Sequence, residues 1–97
     1  MKVKVYETVY STVVMPNSAV DAEVALQLDN ALSNIALPIN GRVIVDLEDA
    51  SYISANGICV LLGNYAKKSQ QYKLELRNTN ENVGNLLCTA GLGNLIT

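Results

Sequence analysis

Arg42 to Tyr65 constrains the fold more than any other stretch, because two different periodicities meet there across a polar turn. Arg42–Val43–Ile44–Val45–Asp46–Leu47 is a short apolar run rich in β-branched residues. Such a run suits a strand covered on both faces, as in a parallel sheet. Glu48 to Asn56 is polar and contains Asp49, Ser51, Ser54 and Asn56. Ile58, Leu61, Leu62 and Tyr65 then recur at i, i+3, i+4 and i+7, the spacing of an amphipathic helix. The stretch predicts a strand, a loop and a helix. In open α/β sheets, sites gather in loops at the carboxyl ends of strands. The turn Ser51–Gly57 is therefore the first candidate site.

The flanks extend this pattern. Lys2–Val3–Lys4–Val5–Tyr6 alternates like a strand with one wet face, and a second strand ends at Val13–Val14–Met15. The turn between them falls near Glu7–Ser11. Ser18, with Asp21 three residues on, resembles a capping box. Val24, Leu28, Leu32 and Ile35 then form a helical stripe with Ala25 and Ala31 beside it. Pro38 ends that helix, and Asn40–Gly41 turns the chain into the central strand. Lys67 and Lys68 fall where cations favour a helix terminus. Tyr72–Leu74–Leu76 alternate with Lys73–Glu75–Arg77, a strand with one solvated face. Val83, Leu86, Leu87 and Ala90 make a third stripe, closed by Gly91–Leu92 as a helix stop with an apolar lock. Leu95–Ile96 reads as a last short strand. The order is β-β-α-β-α-β-α-β in one domain over residues 1–97. It predicts an α/β fold with a small mixed sheet and helices packed mainly on one side.

Composition narrows the chemistry. The chain has 97 residues, about half of them apolar, and a net charge of −2 with scattered Lys and Arg. That argues against a nucleic-acid surface. No window holds the roughly 18 consecutive apolar residues of a membrane span, and the N-terminus lacks an apolar signal core. The expectation is a cytoplasmic protein without membrane insertion. Histidine is absent, which removes histidine-based triads and the usual general base near neutral pH. No Gly-rich phosphate fingerprint is present. Trp and Phe are also absent, and the five tyrosines are not grouped for stacking on bases. Cys59 and Cys88 lie inside apolar helical patterns and read as buried free thiols.

The element order, and above all VIVDLEDASYISANGICVLLGNY, resembles the STAS domain, the family of bacterial anti-sigma factor antagonists. The family shows an apolar strand, a polar loop, an aromatic-apolar pair and then Asp-Ser-Ser-Gly or Asp-Ser-x-Gly opening an apolar helix. Tyr52–Ile53 fit the pair, Gly57 fits the motif glycine, and Ile58, Val60, Leu61 and Leu62 fit the helix. NVGNLLCTAGLGNLI is similar to the family's third helix and glycine-leucine turn. The resemblance implies a non-catalytic protein-interaction domain with no cofactor. Its implied partner is an anti-sigma factor or another kinase-like ATPase domain, and its docking surface is the Ser51–Gly57 turn with the exposed side of the following helix.

The departures fall at functional positions. The family's phosphorylated serine aligns with Ala55, its preceding aspartate with Ser54, and the next position is Asn56. Alanine cannot accept phosphate, so the resemblance implies docking without the family's switch. The candidate partner-binding residues are Ser51, Ser54, Ala55, Asn56, Gly57 and Cys59. Ser54 has two readings, a helix N-cap or a displaced phosphoacceptor. Two alternatives stand beside the first. Stand-alone relatives also serve membrane transport complexes, touching an ATPase subunit. Asp46, Glu48 and Asp49 could instead hold a metal for phosphoryl acceptance, although no other metal site suggests itself. The Lys2–Tyr6 strand, as a sheet edge, offers a surface for a homodimer.

Overall fold

A computed structural model describes residues 2–35 and 41–97. Two strands, β1 (Val3–Glu7) and β2 (Ser11–Pro16), form a hairpin. Helix α1 (Ala22–Ser33) leads to β3 (Arg42–Asp46), α2 (Ala55–Lys68) to β4 (Lys73–Arg77), and α3 (Glu81–Thr89) to a 3-10 turn at Gly93–Leu95. The sheet order is β1-β2-β3-β4. β1 runs antiparallel to β2, whereas β2–β3 and β3–β4 are parallel. Each parallel pair is joined by a helix, as a crossover requires.

Strand parity explains the single helical layer. Val14, Val43, Val45, Leu74 and Leu76 point one way and share a core with Val24, Leu28, Leu32, Leu61, Val83 and Leu87 of the three helices. The opposite face carries the cross-strand row Tyr6–Val13–Ile44–Glu75. No helix of the core cluster lies there, yet Val13 and Ile44 are buried. The central strand thus has its expected apolar run, with helices on one side.

Several local expectations shift. Ser18 does not cap α1; its hydroxyl bonds the Ala19 carbonyl. Asp21 is the cap and accepts from Val24 N at 2.9 Å. The reason lies just upstream, where Val20 is held in a parallel bridge to Ile53 and cannot be helical. Pro38 and Asn40 lie outside the described residues. The stripe of α2 is rotated: Leu61 and Asn64 are buried, while Leu62 is exposed. In α3, Leu87 is buried and Leu86 exposed. Both cysteines are free and exposed, not buried, because each falls beside rather than on its helix's inner face. The terminal strand reduces to a single bridge, Ile96 to Leu76, after the 3-10 turn.

Other expectations hold. Lys67 and Lys68 occupy the last turn of α2. Gly91 adopts φ +86°, with Gly91 N bonded to Cys88 O and Leu92 N to Leu87 O. This is the paired bonding of a Schellman stop, with Leu92 fully buried as its apolar lock.

Candidate functional site

All three helices begin at the carboxyl ends of strands, so their N-termini gather at one end of the sheet. The turn after β3 is fixed from two directions. On one side, Asn80, the N-cap of α3, donates from Nδ2 to the carbonyls of Ala50 (3.4 Å) and Ser51 (3.2 Å). On the other, the lead-in to α1 pairs with it: Val20 N donates to Tyr52 O and Ser54 N to Val20 O, both at 2.8 Å. Leu47, Ala50 and Ile53 bury their side chains beneath. The turn is therefore held at one end by the Asn80 side chain and at the other by backbone bonds, and its outward residues are preorganised.

Ser54 is the N-cap of α2, with its Oγ accepting from Gly57 N at 3.2 Å. A cap of this kind satisfies one of the free N–H groups of the first turn. Ala55 and Asn56 follow as the first two helical residues and are exposed. Cys59, one turn on, is exposed as well. Gly57 differs from its neighbours, because it is buried. A Cβ at this position would lie 2.8 Å from both Ile53 Cγ1 and Val20 Cγ1. Its role is to let α2 settle on the Val20–Ile53 bridge, not to touch a partner. Ser51 is exposed, and its carbonyl is tied to Asn80 at the α3 end of the turn.

The structure adds residues that sequence reasoning missed. Ala55, Asn56, Cys59 and Val60 of α2 face Ala22, Ala25 and Leu26 of α1 across a shallow cleft of about 530 Å³. Leu26 is 63% exposed and Tyr52, within the turn, 54%. The one available signal was Leu26 itself, a large apolar residue off the Val24–Leu28–Leu32 stripe. Farther along the same helix pair, Asn64 is buried and donates to Asp29 Oδ1 (3.2 Å) and Val60 O (2.8 Å). Among the described residues a Cβ at Gly63 would meet nothing within 4 Å, so its small size serves no close packing with them.

The acidic residues have a different use. Asp46 Oδ1 accepts from Glu48 N (3.0 Å) and from Asn78 Nδ2 (3.1 Å), tying the ends of β3 and β4 together. Asn78 itself sits at φ +60°, in the left-handed region that Asn tolerates better than most residues. Glu48 and Asp49 are exposed. Among the described residues, no group of three or more His, Cys, Asp or Glu side chains is arranged to hold a metal ion. The Asp46–Glu48–Asp49 metal reading thus lacks the convergence it needs. Among the same residues, no helix is long and apolar enough to cross a membrane.

This arrangement of elements has known counterparts. A candidate anti-sigma factor antagonist of Thermotoga maritima superposes with a TM-score of 0.79 at 17% identity, over 98% of this chain and 83% of that one. The anti-sigma factor antagonist SpoIIAA in its unphosphorylated form gives 0.71 at 17% identity, over 98% and 85%. A sulfate transporter family protein of Wolinella succinogenes gives 0.77 at 15% identity, over 94% and 79%. At these identities the likeness is one of fold. A search of curated proteins finds no match. The sequence model of the STAS domain matches residues 1–97 throughout, and the chain belongs to the STAS domain family.

Proposed function

We propose that this chain is a non-catalytic interaction domain that docks a protein partner at the α1–α2 corner, without a serine phosphorylation switch. The partner is an anti-sigma factor or another kinase-like ATPase domain, acting in regulation of transcription in the bacterial cytoplasm. The observation that carries this reading is the cleft between the two helix N-termini. It combines exposed apolar side chains, Leu26 and Ala55, with a rigid backbone turn. Ala55 stands at the first helical position, where a phosphate would meet free N–H groups and the positive end of the helix dipole. A methyl group there has no hydroxyl to phosphorylate. The Ser54 hydroxyl is already engaged as an acceptor from Gly57 N, which favours the cap over the displaced phosphoacceptor. Asn56 and Cys59 present polar atoms around the apolar centre, Ser51 adds an exposed hydroxyl at the α3 end of the same turn, and Gly57 supports the turn from below.

A second reading has its own support. A protein of the sulfate transporter family shares the fold, so the same corner could serve as an accessory subunit of a membrane transport ATPase complex. Affinity capture from a bacterial lysate separates the two by the identity of the ATPase retained. We expect the wild-type chain to retain a kinase-type ATPase domain, and Leu26→Asp and Asn56→Lys each to lose it, with unchanged circular dichroism. Equal retention by both variants would remove the corner as the docking surface. A transporter-type ATPase lost in the same way would replace the first reading with the second.

A further inference from the structure

The outer edge of β1 has no partner strand among the described residues. Its backbone groups alternate in direction. Lys2 O accepts from Asn17 N at 2.9 Å, and Thr8 N donates to Ser11 O at 2.8 Å. The even-numbered residues thus direct their backbone groups to β2. In an antiparallel ladder the intervening residues direct theirs to the other side, and here these are Val3, Val5 and Glu7. An open edge of this kind is a template for another strand.

The side chains point the same way. Val5 and Tyr6 on β1 are 48% and 43% exposed, and Val9 and Tyr10 in the following turn are 87% and 80% exposed. Among the described residues, four of the eight exposed large apolar side chains therefore lie in this one hairpin, which marks it as an association surface rather than ordinary scatter. Lys4, a residue type that usually blunts edges, is the only charge between Val3 and Tyr6.

We propose that β1 pairs antiparallel with β1 of a second copy, about a two-fold axis through Val5, fusing two four-stranded sheets into one. Closed two-fold symmetry makes the same patch serve both copies. An axis that relates adjacent antiparallel strands stands perpendicular to the sheet, so one residue of the strand faces its own counterpart. Lys4 on the axis would oppose two ammonium groups, which is destabilising. Tyr6 on the axis would require Val9, a bend residue, to pair with Val3. Val5 on the axis avoids both. Val5 then exchanges both backbone bonds with its counterpart, and Val3 does so with Glu7. Lys4 falls opposite Tyr6 in a non-hydrogen-bonded pair, where side chains approach most closely and an ammonium can lie over the ring. The basic end of each strand, Lys2–Lys4, lies along the Glu7 end of the other. None of these residues lines the α1–α2 cleft, so self-association and partner docking use separate surfaces.

Sedimentation of the full chain at high micromolar concentration tests the proposal, with twice the chain mass expected. Val5→Pro removes an N–H that points away from β2, a position at which an edge strand tolerates proline. It should sediment as a monomer with native circular dichroism. Val5→Lys, which sets like charges across the axis, should do the same and serves if the proline variant fails to fold. With Cys59 and Cys88 replaced by Ser, Val5→Cys should oxidise to a cross-linked dimer. Its bonded pair would hold Cα atoms about 5.5 Å apart, within disulfide range. Val9→Cys should not cross-link, because the pairing separates the two Val9 positions by about 27 Å. A wild-type monomer at every concentration would overturn the proposal. So would a dimer that survives both substitutions at Val5, or cross-linking at Val9 equal to that at Val5.

Discussion

Gly57 shows how one residue carries the site without joining it. Its missing side chain lets α2 rest on Val20 and Ile53, the two residues of the bridge that pins the leads into α1 and α2. Both neighbours are β-branched and essentially fully buried, so neither can rotate away cheaply. Gly57→Ala should therefore destabilise the protein by about 1–3 kcal/mol, the range for overpacking a filled core, despite alanine's better helix propensity. Urea denaturation checks this, and an unchanged midpoint would mean that the bridge yields. From the sequence alone, Gly57 was recognisable as a motif glycine but not as a buried one. The 2.8 Å approach depends on Val20, 37 residues away in the chain and itself placed by a bridge that no periodicity announces. Ser54 was more legible. A serine just before an apolar helical stripe is a local signal for a cap, and the cap is there.

At the scale of elements, the strands were legible because parity is local. Alternation in β4 separated Leu74 and Leu76 from Lys73, Glu75 and Arg77. It did not reveal that Glu75 is buried on the face expected to be solvated. That follows from register. β3 and β4 place Glu75 beside Ile44, and Arg42 reaches across to it, with Nη2 at 2.8 Å from Oε1 and Nε bonded to Oε2. Arg77 stands 3.9 Å away. The Arg42 hydrogen bonds hold the Glu75 carboxyl below its ordinary value of 4.5. Burial opposes this, and the charges of Arg42, Lys73 and Arg77 add to it. Because the folded-state value is the lower one, this contribution to stability is full above about pH 4.5. It is lost as pH falls through the folded value. Glu75→Gln should therefore be less stable than wild type at neutral pH, with the gap closing below pH 4.5 in thermal melts. A gap that persists unchanged in acid would show that the clip between β3 and β4 does not depend on charge. The helices were legible in number and order but not in rotation. Leu62 and Leu86 match the helical spacing as well as Leu61 and Leu87 do, and only the sheet beneath decides which of each pair turns inward.

For the whole molecule, the sequence carried the layer order and the family, because crossover helices between apolar strands leave few topologies open. It did not carry the pairing of surfaces, since α1 and α2 meet across the corner through residues 22–26 and 55–60, two segments whose one local sign is Leu26, off the apolar stripe of α1. The result is a fold whose α1–α2 corner is pinned by hydrogen bonds, apolar at its centre and built around Ala55. Under the proposed function this corner binds a kinase-like partner and is not switched by it. The most direct measurement isolates the complex with the captured ATPase domain, incubates it with Mg²⁺ and ATP, and follows complex stability and the mass of the chain together. A complex that persists and a chain of unchanged mass are expected. A phosphopeptide within Ser51–Gly57, formed as the partner is released, would contradict it.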